Sequence, residues 1–87
     1  LGICDDAHEV ELLVDESYAH ILSEAVWGEG QRIDVRKDGS VGFKALMYGK
    51  ASIVKWIMGM GSKVKVIGPE AIKEEVKNEL RKTLQSY

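Results

Sequence analysis

Ala51-Ser52-Ile53-Val54-Lys55-Trp56-Ile57-Met58-Gly59-Met60-Gly61-Ser62-Lys63-Val64-Lys65-Val66-Ile67-Gly68-Pro69-Glu70 decides the fold. Ile53 and Ile57, with Val54 and Trp56 beside them, share one side at helical spacing, so about Lys50 to Met60 predicts an amphipathic helix. Gly61 stands where a helix ends in a left-handed turn, a conformation glycine adopts without steric cost. Lys63-Val64-Lys65-Val66-Ile67 then alternates, which turns the valines inward on a half-buried strand. Pro69 suits the first position of a new helix, where no amide hydrogen is needed.

Downstream, Ile72, Val76, Leu80 and Leu84 repeat every four residues along one face of that last helix. Glu70, Glu74 and Glu75 favour its positive start, and Arg81 and Lys82 its negative end. The apolar stripe needs a cover, either its own domain or a partner subunit.

Upstream, Asp38-Gly39 separates two alternating runs and predicts a hairpin, because both turn residues tolerate positive φ. Ile33 and Val35 point one way from the strand at 31–36. The returning strand, 41–48, places Val41, Phe43, Ala45 and Met47 on the core face. Earlier still, Val10, Leu12 and Val14 share one face of a strand at 9–14. Asp15 and Ser17 are N-cap candidates for a helix from about Tyr18 to Trp27, with Ala19, Leu22, Ala25 and Val26 as its apolar stripe. Gly28 and Gly30 end it. Residues 1–8 carry no periodicity and read as a linker from an upstream domain, leaving 9–87 as the folded unit. The order is strand, helix, strand, strand, helix, strand, helix. It predicts an α+β protein: a ferredoxin-like βαββαβ sandwich with an additional C-terminal helix.

Eighty-seven residues suit one small domain. The formal net charge of -2 argues against a stand-alone nucleic-acid binder, which presents a basic face. No run approaches the roughly 18 apolar residues of a membrane span. The single cysteine, Cys4, leaves no internal disulfide and fits a reducing cytosol. A start at Leu1 without methionine reads as a piece of a longer protein.

Few residues suggest chemistry. Cys4-Asp5-Asp6-Ala7-His8 packs three ligand types together, yet metal sites draw ligands from separate elements at spacings such as C-x2-C, and His20 is the other histidine. The serines at 17, 23, 40, 52, 62 and 86 lack the context of an activated nucleophile. Glu74-Glu75 is explained by the helix start. A phosphate loop after the first strand would need basic residues, and Asp15-Glu16-Ser17 would repel phosphate. No catalytic residue, cofactor or metal is therefore expected. Val41-Gly42-Phe43-Lys44-Ala45-Leu46-Met47-Tyr48 imitates the base-stacking strand of an RNA recognition motif. Its parity defeats the likeness, since Phe43 lies on the face that buries the helices and Tyr48 alone points outward.

The outward sheet face is expected to carry Glu9, Glu11, Leu13, Arg32, Asp34, Lys44, Leu46, Tyr48, Lys63, Lys65 and Ile67. Apolar residues among these charges suit an association surface. The interface candidates are Leu13, Leu46, Tyr48 and Ile67 on the sheet, and Val76, Leu80 and Leu84 on the last helix.

Three stretches carry a family likeness: Trp56-Ile57-Met58-x-x-Gly61, Val64-x-Val66-x-x-Pro69-Glu70-x-Ile72, and Val76 with Leu80. Trp27 followed by Gln31 adds a link between the first helix and second strand. Together they resemble the C-terminal extension (WCX) domain of WYL-domain helix-turn-helix transcriptional regulators, over Leu1 to Tyr87. One departure is Gly28-Glu29-Gly30, where the family commonly has a His-Pro pair. The resemblance implies a bacterial, cytoplasmic parent with an N-terminal winged helix-turn-helix that reads DNA and a central WYL barrel that senses a ligand. This domain would hold a homodimer and relay the sensed state by protein–protein contact. DNA would be touched only through the parent's N-terminal domain. The alternative is an ACT-like domain that senses a small ligand at a subunit interface.

Overall fold

The computed structural model describes residues 6–87. Four strands form one antiparallel sheet: β1 (Ala7–Val14), β2 (Glu29–Val35), β3 (Val41–Tyr48) and β4 (Val64–Gly68), in the order β2-β3-β1-β4. Three helices accompany them: α1 (Ala19–Ser23), α2 (Lys50–Met58) and α3 (Glu70–Gln85). The chain is thus α+β, with β1 and β3 central and β2 and β4 at the edges.

Alternation sorts the strands as the sequence demands. Val10, Leu12 and Val14 of β1 and Val41, Phe43, Ala45 and Met47 of β3 are all buried. All of these but Val41 share one core with Leu22 of α1, Ile53, Val54 and Ile57 of α2, and Ile72 and Val76 of α3. Phe43 is only 1% exposed, which settles the parity and overturns any base-stacking role for it. Its full burial contributes about 1.5–3 kcal/mol. Trp56 lies over Phe43 with ring centroids 5.5 Å apart, and Trp27 lies on Trp56 at 5.3 Å.

The first helix departs most from expectation. A 3-10 turn at Glu16–Tyr18 leads into five residues of α1, and the helix stops at Ser23 rather than Trp27. The groups that would carry it onward are engaged elsewhere. The Trp27 indole N–H donates to Leu22 O at 3.1 Å, and the Trp27 backbone N–H donates to Gln31 Oε1 at 2.6 Å. Ala25 and Val26 therefore leave the core, and Val26 is 84% exposed. Val35, expected inward beside Ile33, is 68% exposed at the far end of edge strand β2. An edge strand has a neighbour on one side only.

Smaller shifts occur elsewhere. β1 begins at Ala7, so Ala7 and His8 belong to the sheet. α2 ends at Met58, and Gly61 adopts φ +62 just beyond it. β4 runs Val64–Gly68, with Lys63 left in a 3-10 turn. Pro69 caps α3 from outside, extended at ψ 165, rather than opening the helix.

Candidate contact surfaces

The helices cover one side of the sheet and leave the other open. Cross-strand register arranges the open face in rows. Asp34 of β2 sits beside Gly42 of β3, then Leu13 of β1, then Lys65 of β4. In the next row Arg32 neighbours Lys44, and Lys44 neighbours Glu11. Below them Glu29 and Glu9 flank Leu46. Tyr48 pairs with Ala7, and its hydroxyl donates to Glu29 Oε2 at 3.2 Å.

A bulge shapes one corner of this face. Glu29 pairs with Leu46 and Arg32 with Lys44, so β2 carries one residue more than β3 across that step. Gly30, at φ +62, supplies the left-handed residue that such a bulge needs. Above Gly42 the Arg36 guanidinium comes within 3.4 Å of where a Cβ would stand, beside a hollow of about 180 Å³ walled also by Arg32, Lys44, Asp34 and Glu11.

The seven interface candidates fall into three groups. Leu13 and Leu46 are half-buried and Tyr48 and Ile67 are 43% and 45% exposed, all on the open sheet face. Leu80 and Leu84 are 50% and 75% exposed on the C-terminal half of α3. Val76 is 7% exposed and packs into the chain's own core with Ile72, so it is withdrawn from any contact surface. The helical stripe is therefore divided, its first half an anchor and its second half uncovered.

Sequence reasoning passed over two features. Val26 is a further exposed apolar residue, and only the shortening of α1 reveals it. Asp6, placed in the linker, accepts from the backbone N–H of Lys50 at 2.7 Å and also bonds His8. The Lys50 amide first, then His8, hold the Asp6 carboxyl below the usual carboxylate range. Cys4 and Asp5, from the same ligand-rich run, lie outside the described residues. Among the described residues no group of three or more His, Cys, Asp or Glu side chains could hold a metal. Asp15 and Asp38 are likewise held low, by Ser17 and Ser40, whose hydroxyls and amides they accept. These carboxylates are occupied in tying turns together.

Turn-bound carboxylates and an open face of apolar residues set among charges describe a small α+β domain with one side of its sheet uncovered. The family model for the WCX domain matches residues 6–84, and the chain belongs to that family. It is thereby a regulatory C-terminal domain of the kind found in WYL-type regulators, a family not known as catalytic. A comparison with curated proteins gave no match. Among the described residues no helix is long and apolar enough to cross a membrane.

The tryptophan-to-glutamine link has a physical form. Gln31 accepts the Trp27 backbone N–H at 2.6 Å while its amide donates to Ala25 O, so one side chain ties the loop from both ends. Gly28 lies so close to β3 that a Cβ would meet Leu46 O at 2.6 Å.

Proposed function

We propose that this chain is a noncatalytic dimerisation and regulatory domain of a bacterial WYL-type transcription regulator, acting by protein–protein contact. The contact domain takes in Asp6, Ala7 and His8 together with residues 9–87, and the residues before them join it to the upstream WYL and helix-turn-helix domains of the parent. The parent's N-terminal domain alone would touch DNA, and a DNA-reading parent of this kind would work in the cytoplasm. Antiparallel pairing in the order β4-β1-β3-β2 supports a ferredoxin-like βαββαβ sandwich, with α3 as the additional helix.

The observation that carries this reading is the open face, where Tyr48 and Ile67 stand beside half-buried Leu46 and Leu13. Paired DNA half-sites demand a set spacing between two reading heads, and a dimerising module provides it. Sedimentation velocity over a concentration series tests the idea. Self-association that weakens in Tyr48→Glu or Leu46→Glu supports it. A chain that stays monomeric, and whose melting temperature rises with a free amino acid, favours the ACT-like sensor instead.

A further inference from the structure

We propose that the open sheet face pairs with the same face of a second copy about a twofold axis running along the strands, between β1 and β3. This rests on the contact reading above and adds what that reading leaves open, the register.

The argument lies in the central strands. β1 and β3 are antiparallel neighbours, with Leu13 opposite Gly42, Glu11 opposite Lys44 and Ala7 opposite Tyr48. A twofold along the line between them exchanges β1 and β3. Each outward residue of one copy then lies over its own cross-strand partner in the other. Lys44 meets Glu11, twice by symmetry. Leu13 meets Gly42 beside the Arg36 guanidinium, Leu46 meets Glu9, and Tyr48 meets Ala7. One strand further out, the same operation sets Asp34 of β2 over Lys65 of β4, since these end the row through Gly42 and Leu13. Opposite charges coincide in two rows, Lys44 with Glu11 and Asp34 with Lys65, and Tyr48 opposes a small residue, while Leu46 faces Glu9. An isologous interface must be self-complementary in this way.

The other face-to-face twofold runs across the strands and lays each strand on its own copy. β1 carries Glu9 and Glu11 outward, so with that axis crossing β1 between Glu9 and Glu11 acid would meet acid, an arrangement that costs affinity. Sheets packed face to face lie about 10 Å apart, within reach of paired lysine and glutamate side chains. Four strands about 4.8 Å apart and some six residues long present on the order of 400 Å² per copy. A standard stable interface buries about 800 Å² per partner. The pairing is therefore weak for the chain on its own.

Charge exchange tests the register. Lys44→Glu makes the central row acidic and Glu11→Lys makes it basic, so each variant alone should self-associate at least about tenfold more weakly by sedimentation velocity. An equimolar mixture of the two should form a heterodimer, and the Lys44→Glu/Glu11→Lys double variant should recover self-association. Circular dichroism reports that each variant is folded. Should one fail to fold, Asp34→Lys and Lys65→Asp repeat the design at exposed positions. A dimer indifferent to these changes, or one weakened without recovery in mixture and double variant, overturns the register while leaving the contact reading intact. A wild-type chain that stays monomeric throughout overturns both.

Discussion

The Asp6 carboxylate accepts the backbone N–H of Lys50 at 2.7 Å, so a residue at the entry to β1 caps the start of α2 from forty-four positions away. Gly49, at the N-cap of α2, has no side chain to do this and sits at φ +84. Its own N–H donates to Asp6 O at 2.9 Å, so both polar ends of Asp6 serve the same turn. A cap that comes from a distant strand also ties the strand down. Asp6→Ala should lower the thermal midpoint and speed hydrogen exchange at the Lys50 amide, whereas Asp6→Asn, which keeps an acceptor, should do less. Equal exchange at Lys50 in all three proteins would remove Asp6 from that role.

Acid should expose the same carboxylates together. Asp6, Asp15 and Asp38 are each held below their ordinary value of 3.8 by hydrogen bonds from nearby amides and side chains. A carboxyl with a depressed folded pKa contributes stability that is fully present above its unfolded pKa and is lost as pH falls through the folded one. Urea unfolding should therefore report constant stability from these groups at neutral pH. A decline should set in as pH drops past about 4 and continue below it. In Asp15→Asn/Asp38→Asn the decline should be shallower. An unchanged slope would mean that the turns gain nothing from ionisation.

Alternation made the central strands legible because a strand with one buried face must alternate, whereas at the end of edge strand β2 Val35 lost its cover. Val10, Leu12 and Val14 thus announced their side, as did Phe43 and Ala45. The first helix was not legible to the same degree. Ala25 and Val26 fit a helical stripe, but the indole of Trp27 takes Leu22 O and the side chain of Gln31 takes the Trp27 backbone N–H, groups that a longer helix would use. Tertiary hydrogen bonds prevailed over local periodicity. The Asp6 cap was hidden for a related reason: its acceptor and donor share no local pattern. On the contact surface the sheet residues could be placed by parity, whereas the division of the α3 stripe depends on how far the core extends.

Gly28 and Gly30 look alike in sequence and should behave differently. A Cβ at Gly28 would stand 2.6 Å from Leu46 O and 2.9 Å from Met47 Cγ, with the backbone oxygen unable to yield cheaply. Gly28→Ala should cost about 1–3 kcal/mol, in the range of overpacked cores. At Gly30 nothing lies within 4 Å, and the penalty comes from φ +62 alone. Gly30→Ala should cost about 1–2 kcal/mol, the ordinary strain of a left-handed L-residue, and Gly30→Asn less. Chemical denaturation of the three variants checks this. A Gly30→Ala cost equal to its Gly30→Asn cost, or a neutral Gly28→Ala, would contradict the geometry.

The last helix offers the clearest contrast between anchoring and availability. Ile72 is fully buried in the core with Val76, while Leu84, three turns later on the same sequence stripe, is 75% exposed. Sixteen residues at about 1.5 Å each make a helix of roughly 24 Å, and burial ends about midway along it. Ile72→Ala should destabilise the chain by about 2–5 kcal/mol, because its removal leaves a hole in a packed core. Leu84→Ala, lacking covered surface to lose, should stay within about 0.5 kcal/mol of the wild type. If equilibrium unfolding showed Leu84→Ala to be as costly as Ile72→Ala, the C-terminal half of α3 would have to be covered in solution. In that case the cost should fall on dilution, since only a second copy can supply a cover that depends on concentration.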